Sequence, residues 1–182
     1  MRYRIIAFLV VMGVSQTGNA KDTTSIGLGT GALETSATTR GPALTGKLSY
    51  QWSVHSALSL HGSYDIFWRD KTAGPIEFLH LTHRLTIDVA IGFENTRLFG
   101  YLGVGLSPFL TQVKLSSHDA SVSQQLVKGV GGHLSGCAGI QLTPHYSLGI
   151  LLEGFNRGPL IDGNAQVIFR AAWNSKESPT RE

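Results

Sequence analysis

The chain has 182 residues and carries 15 basic and 12 acidic side chains, for a formal net charge of +3. Two of the basic residues, Arg2 and Arg4, lie in an N-terminal segment that reads as a leader, so the remainder is nearly neutral and gives no support for nucleic-acid binding. The single cysteine, Cys137, excludes an intramolecular disulfide and would leave any metal site with one sulfur ligand.

Residues 1–20 have the three zones of a secretory signal peptide. A short basic head is followed by an apolar run over residues 5–14 and by a small, polar stretch with Gly18 and Ala20 at the positions that signal peptidase reads. The apolar run is shorter than the about 20 residues that a membrane-spanning helix needs. We therefore predict a cleaved signal over residues 1–20 and Sec-type export, with a permanent N-terminal anchor or a buried helix as the alternative.

From residue 24 to residue 173, turn signals divide the chain into eight segments in which apolar and small or polar residues alternate with a period of two. In the second segment Leu48 and Trp52 belong to the apolar set, and Lys47 belongs to the polar set. In the fourth segment the apolar set runs through residues 79–93, with His83 as its one exception. Each segment has roughly the 9–11 residues that a tilted strand needs to cross a bilayer, so we predict eight transmembrane strands.

The connections between these segments alternate between long and short. The long ones are residues 35–42, 69–76, 111–126 and 156–162, and the short ones are residues 55–57, 94–97 and 143–145. Outer-membrane barrels have short periplasmic turns and longer outer loops. The alternation therefore predicts that the first strand runs outward and that the long connections are extracellular loops.

The polar faces indicate which side of the barrel wall meets lipid. They hold many glycine and serine residues, and their mid-strand charges are balanced: Lys47, Arg84 and Arg170 against Asp65, Asp88 and Glu153. Because unpaired charges are costly away from water, this balance favours structural ion pairs in an enclosed lumen, with the apolar faces against lipid. Counting back from the turn at 55–57 places Lys47 opposite Asp65. Side chains fill an eight-stranded barrel, so we expect no wide diffusion pore.

Aromatic residues on the apolar faces fall near the strand ends. Trp52, Tyr146 and Trp173 lie at inner ends, and Trp68 lies toward an outer end. Such positions are typical of the aromatic girdles at the two membrane interfaces. We therefore predict that these side chains are interfacial anchors.

Two segments near the C-terminus carry a family resemblance. Residues 132–144 form a glycine-punctuated strand followed by a Thr-Pro turn, and residues 167–173 end in an aromatic residue, like the terminal strand that the outer-membrane assembly machinery recognises. With the strand count and the alternating connections, the chain resembles the small outer-membrane β-barrel superfamily that includes the OmpA transmembrane domain and OmpX-like proteins. It departs from that pattern in a polar tail, residues 174–182, which is too short for a peptidoglycan-binding domain.

The resemblance implies an all-β fold, with an eight-stranded antiparallel up-and-down transmembrane β-barrel over residues 21–173 in the outer membrane of a Gram-negative cell envelope. It implies a monomer without a cofactor that contacts outer-membrane lipid, lipopolysaccharide and the assembly machinery. The expected function is non-enzymatic, either structural or in surface interaction through extracellular loops. Basic residues in or beside those loops could meet anionic lipopolysaccharide: Arg40, Arg69, Lys71, Lys114 and Arg157.

Two alternatives belong to other functional classes. Lipid A 3-O-deacylases are also eight-stranded barrels, and this chain resembles them in a His-x-Ser motif, with His133, Ser135 and Glu153 as base, nucleophile and orienting acid. It departs from them at Gly136, where that family has Asn. A soluble secreted carrier with a lipocalin-like interior would share the alternation but would need a charged exterior. The seven histidines share no ligand spacing, so we predict no metal site.

Overall fold

The computed structural model describes residues 22–36, 39–55, 57–73, 76–117, 120–157 and 160–173. The predicted signal over residues 1–20 and the predicted tail over residues 174–182 lie outside these ranges. The strands are β1 Asp22–Ser36, β2 Thr39–Ser53, β3 Leu58–Ala73, β4 Ile76–Glu94, β5 Leu98–Ser117, β6 Ala120–Gln141, β7 Tyr146–Arg157 and β8 Leu160–Trp173. Within the described ranges, no helix is long and apolar enough to cross a membrane.

The strands form one closed barrel in chain order, with each strand antiparallel to its neighbours. β8 closes the barrel against β1, from the pair Asp22 and Trp173 to the pair Ala32 and Gly163. The predicted all-β, eight-stranded, up-and-down architecture is therefore confirmed. Closure pairs the backbone groups of the wall and removes the free edges that an open sheet would expose.

Alternation along each strand sends polar side chains into the lumen and apolar side chains to the exterior face. Asp65 and Arg84 are 0% and 1% exposed, whereas Ile91 and Leu102 on the exterior face are 67% and 68% exposed. A soluble protein has the reverse arrangement, because exposed apolar surface and buried unpaired polar groups both cost free energy in water. The exterior face of this barrel is therefore suited to an apolar solvent.

Tight turns close one end of the barrel, which we call the turn end. The connections there are residues 54–57, 95–97 and 142–145, close to the short connections predicted from sequence. The Asn95 side chain accepts hydrogen bonds of 2.8 Å from the backbone N–H groups of Arg97 and Leu98. Such local bonds between a side chain and the backbone stabilise a turn without help from the rest of the fold.

The opposite end, which we call the rim, differs from the prediction. β5 continues to Ser117 and β6 begins at Ala120, so almost all of the predicted loop over residues 111–126 is strand. The other predicted loops are likewise mostly strand: residues 35–42, 69–76 and 156–162. The prediction of long loops was wrong because apolar alternation stops where the wall leaves its apolar belt, whereas the backbone pairing of each hairpin continues.

The rim is uneven in height. Among the described pairs, β6 meets β7 only from His133 toward the turn end, whereas residues 120–132 of β6 pair with β5 alone. Residues 69–73 of β3 pair with β4 but not with β2. Strands β3 to β6 therefore rise as a four-stranded extension above the shorter hairpin of β7 and β8.

Glycine residues on the luminal face make room for the bulky side chains that fill the barrel. A Cβ at Gly149 would lie 2.7 Å from the ring of Phe99. At Gly131 a Cβ would overlap the backbone carbonyl oxygen of Asn156 and the ring of Phe155. Glycine is needed at such positions because a neighbour approaches the backbone closely. The glycine residues of the polar faces therefore leave space for the bulky side chains that fill the lumen.

Candidate functional site

Four charged side chains meet near the middle of the lumen, and we call them the charge ring: Lys47, Asp65, Arg84 and Glu153. The register places Lys47 of β2 opposite Asp65 of β3, and Asp65 opposite Arg84 of β4, while Glu153 reaches them from β7. Lys47 Nζ lies 3.2 Å from Asp65 Oδ1 and 2.6 Å from Glu153 Oε1. Arg84 Nη2 lies 3.2 Å from Asp65 Oδ2 and 2.9 Å from Glu153 Oε2. Each cation therefore bridges both carboxylates.

The charge ring is almost completely removed from solvent, since its side chains are between 0% and 6% exposed. In such surroundings, removal of one partner leaves the others without a counter-charge, which costs about 3–5 kcal/mol. Arg84 also lies between two aromatic rings, with its Cζ 4.9 Å from the Phe67 centroid and 5.2 Å from the Phe155 centroid. The charge ring therefore braces β2, β3 and β4 against β7 across the lumen.

A histidine and an aspartate extend the charge ring toward β5 and β6. His133 Nδ1 lies 2.7 Å from Asp88 Oδ1, and its Nε2 lies 3.0 Å from Glu153 Oε1. An imidazole that faces carboxylate oxygens at both nitrogens satisfies both only when each nitrogen carries a hydrogen. With His133 in that form, its charge and the two cations of the ring balance the carboxylates of Asp65, Asp88 and Glu153. Such balance lowers the cost of burying the whole cluster.

Ser135 does not form a nucleophile–base pair with His133. Its Oγ donates a hydrogen bond of 3.3 Å to Asp88 Oδ2, and the residue is 3% exposed. Both nitrogens of His133 contact carboxylates, so neither is available to accept the serine proton. The structure thus brings His133, Ser135 and Glu153 together in one hydrogen-bond network, but not in the order of a catalytic relay.

Arg170 forms a separate ion pair near the turn end. Its Nη2 lies 3.2 Å from Glu94 Oε2 and 3.3 Å from Gln51 Oε1, and its Cζ lies 4.0 Å from the centroid of the Phe99 ring. The alternating pattern of the sequence places Arg170 on the luminal face with the central charges. Its partner Glu94, however, lies in a turn predicted from the sequence. Because β4 extends through Glu94, this carboxylate keeps the luminal parity of Asp88.

Glu94, His133 and Asn164 belong to the luminal network but are absent from the ion-pair set predicted from sequence. Asn164 Nδ2 donates a hydrogen bond of 2.9 Å to Glu153 Oε2. Luminal parity is the signal that all three share with the predicted set. A count of mid-strand formal charges leaves out a neutral amide, a histidine and a carboxylate at a strand end, so it does not identify these three residues.

The space left among these side chains is small. A cavity of about 10 Å³ lies beside the charge ring, which is room for about one water molecule. Its lining is polar: Lys47, Ser49, His61, Ser63, Asp88, Tyr101, Ser135 and Glu153. This cavity is too small for an acyl chain, so the serine that lines it does not face a substrate-sized space.

The predicted interfacial aromatics lie on the exterior face where their side chains are described. Trp52, Trp68 and Tyr146 are 47%, 47% and 48% exposed. Trp52 and Tyr146 adjoin the turn end, and Trp68 lies on β3 toward the rim. The side chain of Trp173 lies outside the description. The three described rings therefore border the apolar belt at both of its ends.

Two of the basic side chains assigned to the outer connections are described. The guanidinium of Arg69 lies 5.8 Å from the centroid of the Phe78 ring, and Lys114 is exposed. The other three side chains lie outside the description: Arg40, Lys71 and Arg157.

Cys137 belongs to a small cluster of buried apolar residues near the turn end. The cysteine is buried against Phe99, Leu151 and Ile168, where it acts as a small apolar side chain. Across the part of the chain that the structure describes, no three His, Cys, Asp or Glu side chains are arranged to hold a metal ion.

No known protein family matches the sequence, and no curated protein matches it either. Solved structures do match the fold. Ail, the attachment invasion locus protein of Yersinia pestis, superimposes with a TM-score of 0.67 at 12% identity, over 86% of this chain and 100% of that chain. Neisserial surface protein A gives 0.64 at 14% identity, over 84% and 97%. The outer membrane protein OprG of Pseudomonas aeruginosa gives 0.57 at 12% identity, over 86% and 97%. At these identities the likeness establishes the fold alone.

Proposed function

We propose that this chain is a non-enzymatic integral protein of the bacterial outer membrane, because it has the fold of the small eight-stranded outer-membrane β-barrels. Its lumen is a filled and cross-braced core. Its role is structural or in surface interaction, and the rim is its working surface. It is a monomer that leaves the cytoplasm by Sec-type export and enters the membrane through the outer-membrane assembly machinery.

The observation that carries this proposal is the reversal of polarity across the barrel wall. Leu28 and Val130 on the exterior face are 70% and 65% exposed, whereas Lys47 and Glu153 in the lumen are 8% and 6% exposed when their backbone atoms are counted. In water, an apolar belt of this extent would promote association with other surfaces. In a bilayer the same belt is solvated by lipid, and the closed ladder leaves no unpaired edge in the hydrocarbon.

The luminal contacts support a structural role rather than a catalytic one. The polar groups of His133, Ser135 and Glu153 are paired with other protein groups, and the adjoining cavity has room for about one water molecule. A catalytic serine needs a free base and a site that admits its substrate. The similar structures are described as an attachment protein, a surface protein and an outer membrane protein.

The rim supports the assignment of a working surface. Short turns face the periplasm in barrels of this class. With the turn end in the periplasm, the four-stranded extension of β3 to β6 stands outside the cell. At the base of this extension the barrel contacts outer-membrane lipid and lipopolysaccharide, because these molecules surround the barrel wall at that level.

Membrane fractionation combined with a heat-modifiability gel tests the location. The mature chain should be recovered with the outer membrane and should migrate differently before and after boiling, since boiling unfolds a detergent-resistant barrel. Recovery in the soluble fraction without detergent would overturn the membrane assignment and would favour the soluble carrier.

The substitution Ser135→Ala tests the non-enzymatic part of the proposal. Mass spectra of lipid A from cells that produce the wild-type chain and from cells that produce S135A should show the same acylation pattern. A deacylated species that appears with the wild-type chain and disappears with S135A would overturn it.

A further inference from the structure

A polar residue, His83, lies within the apolar belt, and the proposed function does not explain it. His83 of β4 has the exterior parity of Leu85 and Ile87, which are 56% and 63% exposed. The hydroxyl oxygen of Tyr64 on β3 lies 2.6 Å from His83 Nδ1. The two rings stack with their centroids 6.1 Å apart. This hydrogen-bonded pair therefore lies on the face that meets lipid.

A second polar exception lies on the same stretch of wall. Lys128 has the exterior parity of Val130 and Leu134 on β6, and its side chain is exposed. The register places His83 opposite Leu110 of β5, and Leu110 opposite Lys128. The two basic residues therefore share one cross-strand row, about 10 Å apart at the backbone, on either side of one leucine.

This row lies near the rim limit of the apolar belt. The next row toward the rim still holds Trp68 and Leu126, and the row after it holds Asp70 and Lys114. From the row to the turn end, the described exterior positions of β3 to β6 hold no other basic residue and no acidic residue. A lysine is costly at the middle of a bilayer but is tolerated near the interface. The position of Lys128 near the end of the belt therefore lets its flexible side chain carry the ammonium to the level of the lipid headgroups, where the counter-charge comes from lipid.

We propose that His83 and Lys128 bind one phosphate group of a phosphorylated glycolipid of the outer leaflet, over the side chain of Leu110. This inference rests on the proposed function, because it needs the wall to face lipid at this level. Two basic groups on one row without an acidic neighbour are complementary to an anion. Because the row belongs to the membrane-facing wall, the anion is part of a lipid and not a solute.

The Tyr64 contact prepares the histidine for this task. When the phenol donates to Nδ1 of His83, the neutral ring carries its hydrogen on Nε2, which is then free to donate to a phosphate oxygen. The ammonium of Lys128 is carried on a flexible stem that can lean across Leu110, and it supplies the positive charge. One phosphate oxygen would accept from Nε2 and a second from Nζ.

Native mass spectrometry of the mature barrel in detergent micelles tests the site, with lipid A that carries its phosphates and with dephosphorylated lipid A as probes. The wild type should prefer the phosphorylated lipid. His83→Leu and Lys128→Leu should each weaken that binding about tenfold, the size of one charge-assisted hydrogen bond, and should leave binding of the dephosphorylated lipid unchanged. Both substitutions extend the apolar belt, so we expect both variants to fold.

Two control variants should bind like the wild type. Gln112→Leu removes a polar exterior side chain from the neighbouring row, and Arg97→Leu removes one positive charge at the turn end. An equal loss in Arg97→Leu would mean that general charge, not this row, drives binding, and would overturn the proposal. So would equal binding of the two lipids by the wild type.

The outcomes separate this site from the function on which it rests. A wild-type chain that shows no heat-modifiable form in micelles would contradict the membrane assignment itself. A heat-modifiable barrel without a phosphate preference would contradict the site alone. Inorganic phosphate at the concentration of the lipid should not displace lipid A. Displacement would contradict the proposal that the site binds a lipid phosphate rather than free phosphate.

Discussion

Removal of the negative charge of Glu153 is the sharpest perturbation of the filled lumen. This carboxylate accepts from Lys47 at 2.6 Å, from Arg84 at 2.9 Å, from His133 at 3.0 Å and from Asn164 at 2.9 Å. Glu153→Gln keeps the size of the side chain and turns an amide group toward two cations. Because the lumen has room for only about one water molecule here, we expect the free energy of unfolding to fall by about 3–5 kcal/mol.

The matched control is Glu94→Gln, which makes the same chemical change at the other luminal ion pair. Glu94 Oε2 lies 3.2 Å from Arg170 Nη2, but its side chain is 31% exposed. The charge that remains, on Arg170, is only 4% exposed, but it keeps its contacts with Gln51 and with the Phe99 ring. We therefore expect a smaller loss for Glu94→Gln, of about 1–3 kcal/mol, because one buried donor group loses its charged partner.

Urea-induced unfolding in lipid vesicles, followed by tryptophan fluorescence and by the gel shift, measures both losses. The comparison requires an unchanged dependence of the free energy on urea concentration. Combining Lys47→Met with Glu153→Gln should cost less than the two single changes added together, by about 0.5–3 kcal/mol, because the double change removes one charge of each sign. Equal losses for Glu153→Gln and Glu94→Gln would refute the idea that the charge ring braces the barrel.

Three other predictions test the packing and the interfaces. Gly131→Ala should lower the free energy of unfolding by about 1–3 kcal/mol, because the lumen has no room for a Cβ at this position. A Cβ at Gly132 would have no atom within 4 Å, so Gly132→Ala should change the free energy of unfolding by less than about 0.5 kcal/mol in the same urea titration. Cys137, which is 6% exposed, should react with a water-soluble maleimide only after unfolding, and fast labelling of the folded barrel would contradict its burial. Trp52, studied alone after replacement of the other two tryptophans by Phe, should be quenched more by lipids brominated near the headgroup than by lipids brominated at the chain ends. The reverse order would contradict its interfacial position.

The strand count and the direction of each face could be predicted from sequence because burial imposes parity along every strand. The pairing of Lys47 with Asp65 could be counted because the turn at residues 54–57 is short and leaves little freedom in register. Hairpin length at the rim could not be predicted in this way. Beyond the apolar belt the two faces no longer differ clearly in polarity, so residues 111–117 and 120–126 lose the alternation although their strands stay paired.

Contacts across the lumen lie beyond what alternation can show. Parity directs Glu153 inward, but its contact with Lys47 joins strands on facing sides of the barrel and depends on how deep each side chain reaches. The row of His83 and Lys128 is a similar case. Parity marks each residue as an exception, whereas their alignment depends on the register of two successive hairpins. The alternation also predicts the wrong length for the second of these hairpins, formed by β5 and β6.

Methyl-detected NMR of the barrel in lipid nanodiscs tests the central claim most directly, because it shows which side of the wall meets lipid. Leu102 and Val104 on the exterior face are 68% and 63% exposed, whereas Leu151 and Ile168 in the lumen are each 1% exposed. The methyl groups of Leu102 and Val104 should show nuclear Overhauser effects to lipid acyl chains, and those of Leu151 and Ile168 should show none. Acyl-chain contacts to Leu151 and Ile168, with water contacts to Leu102 and Val104, would contradict the account.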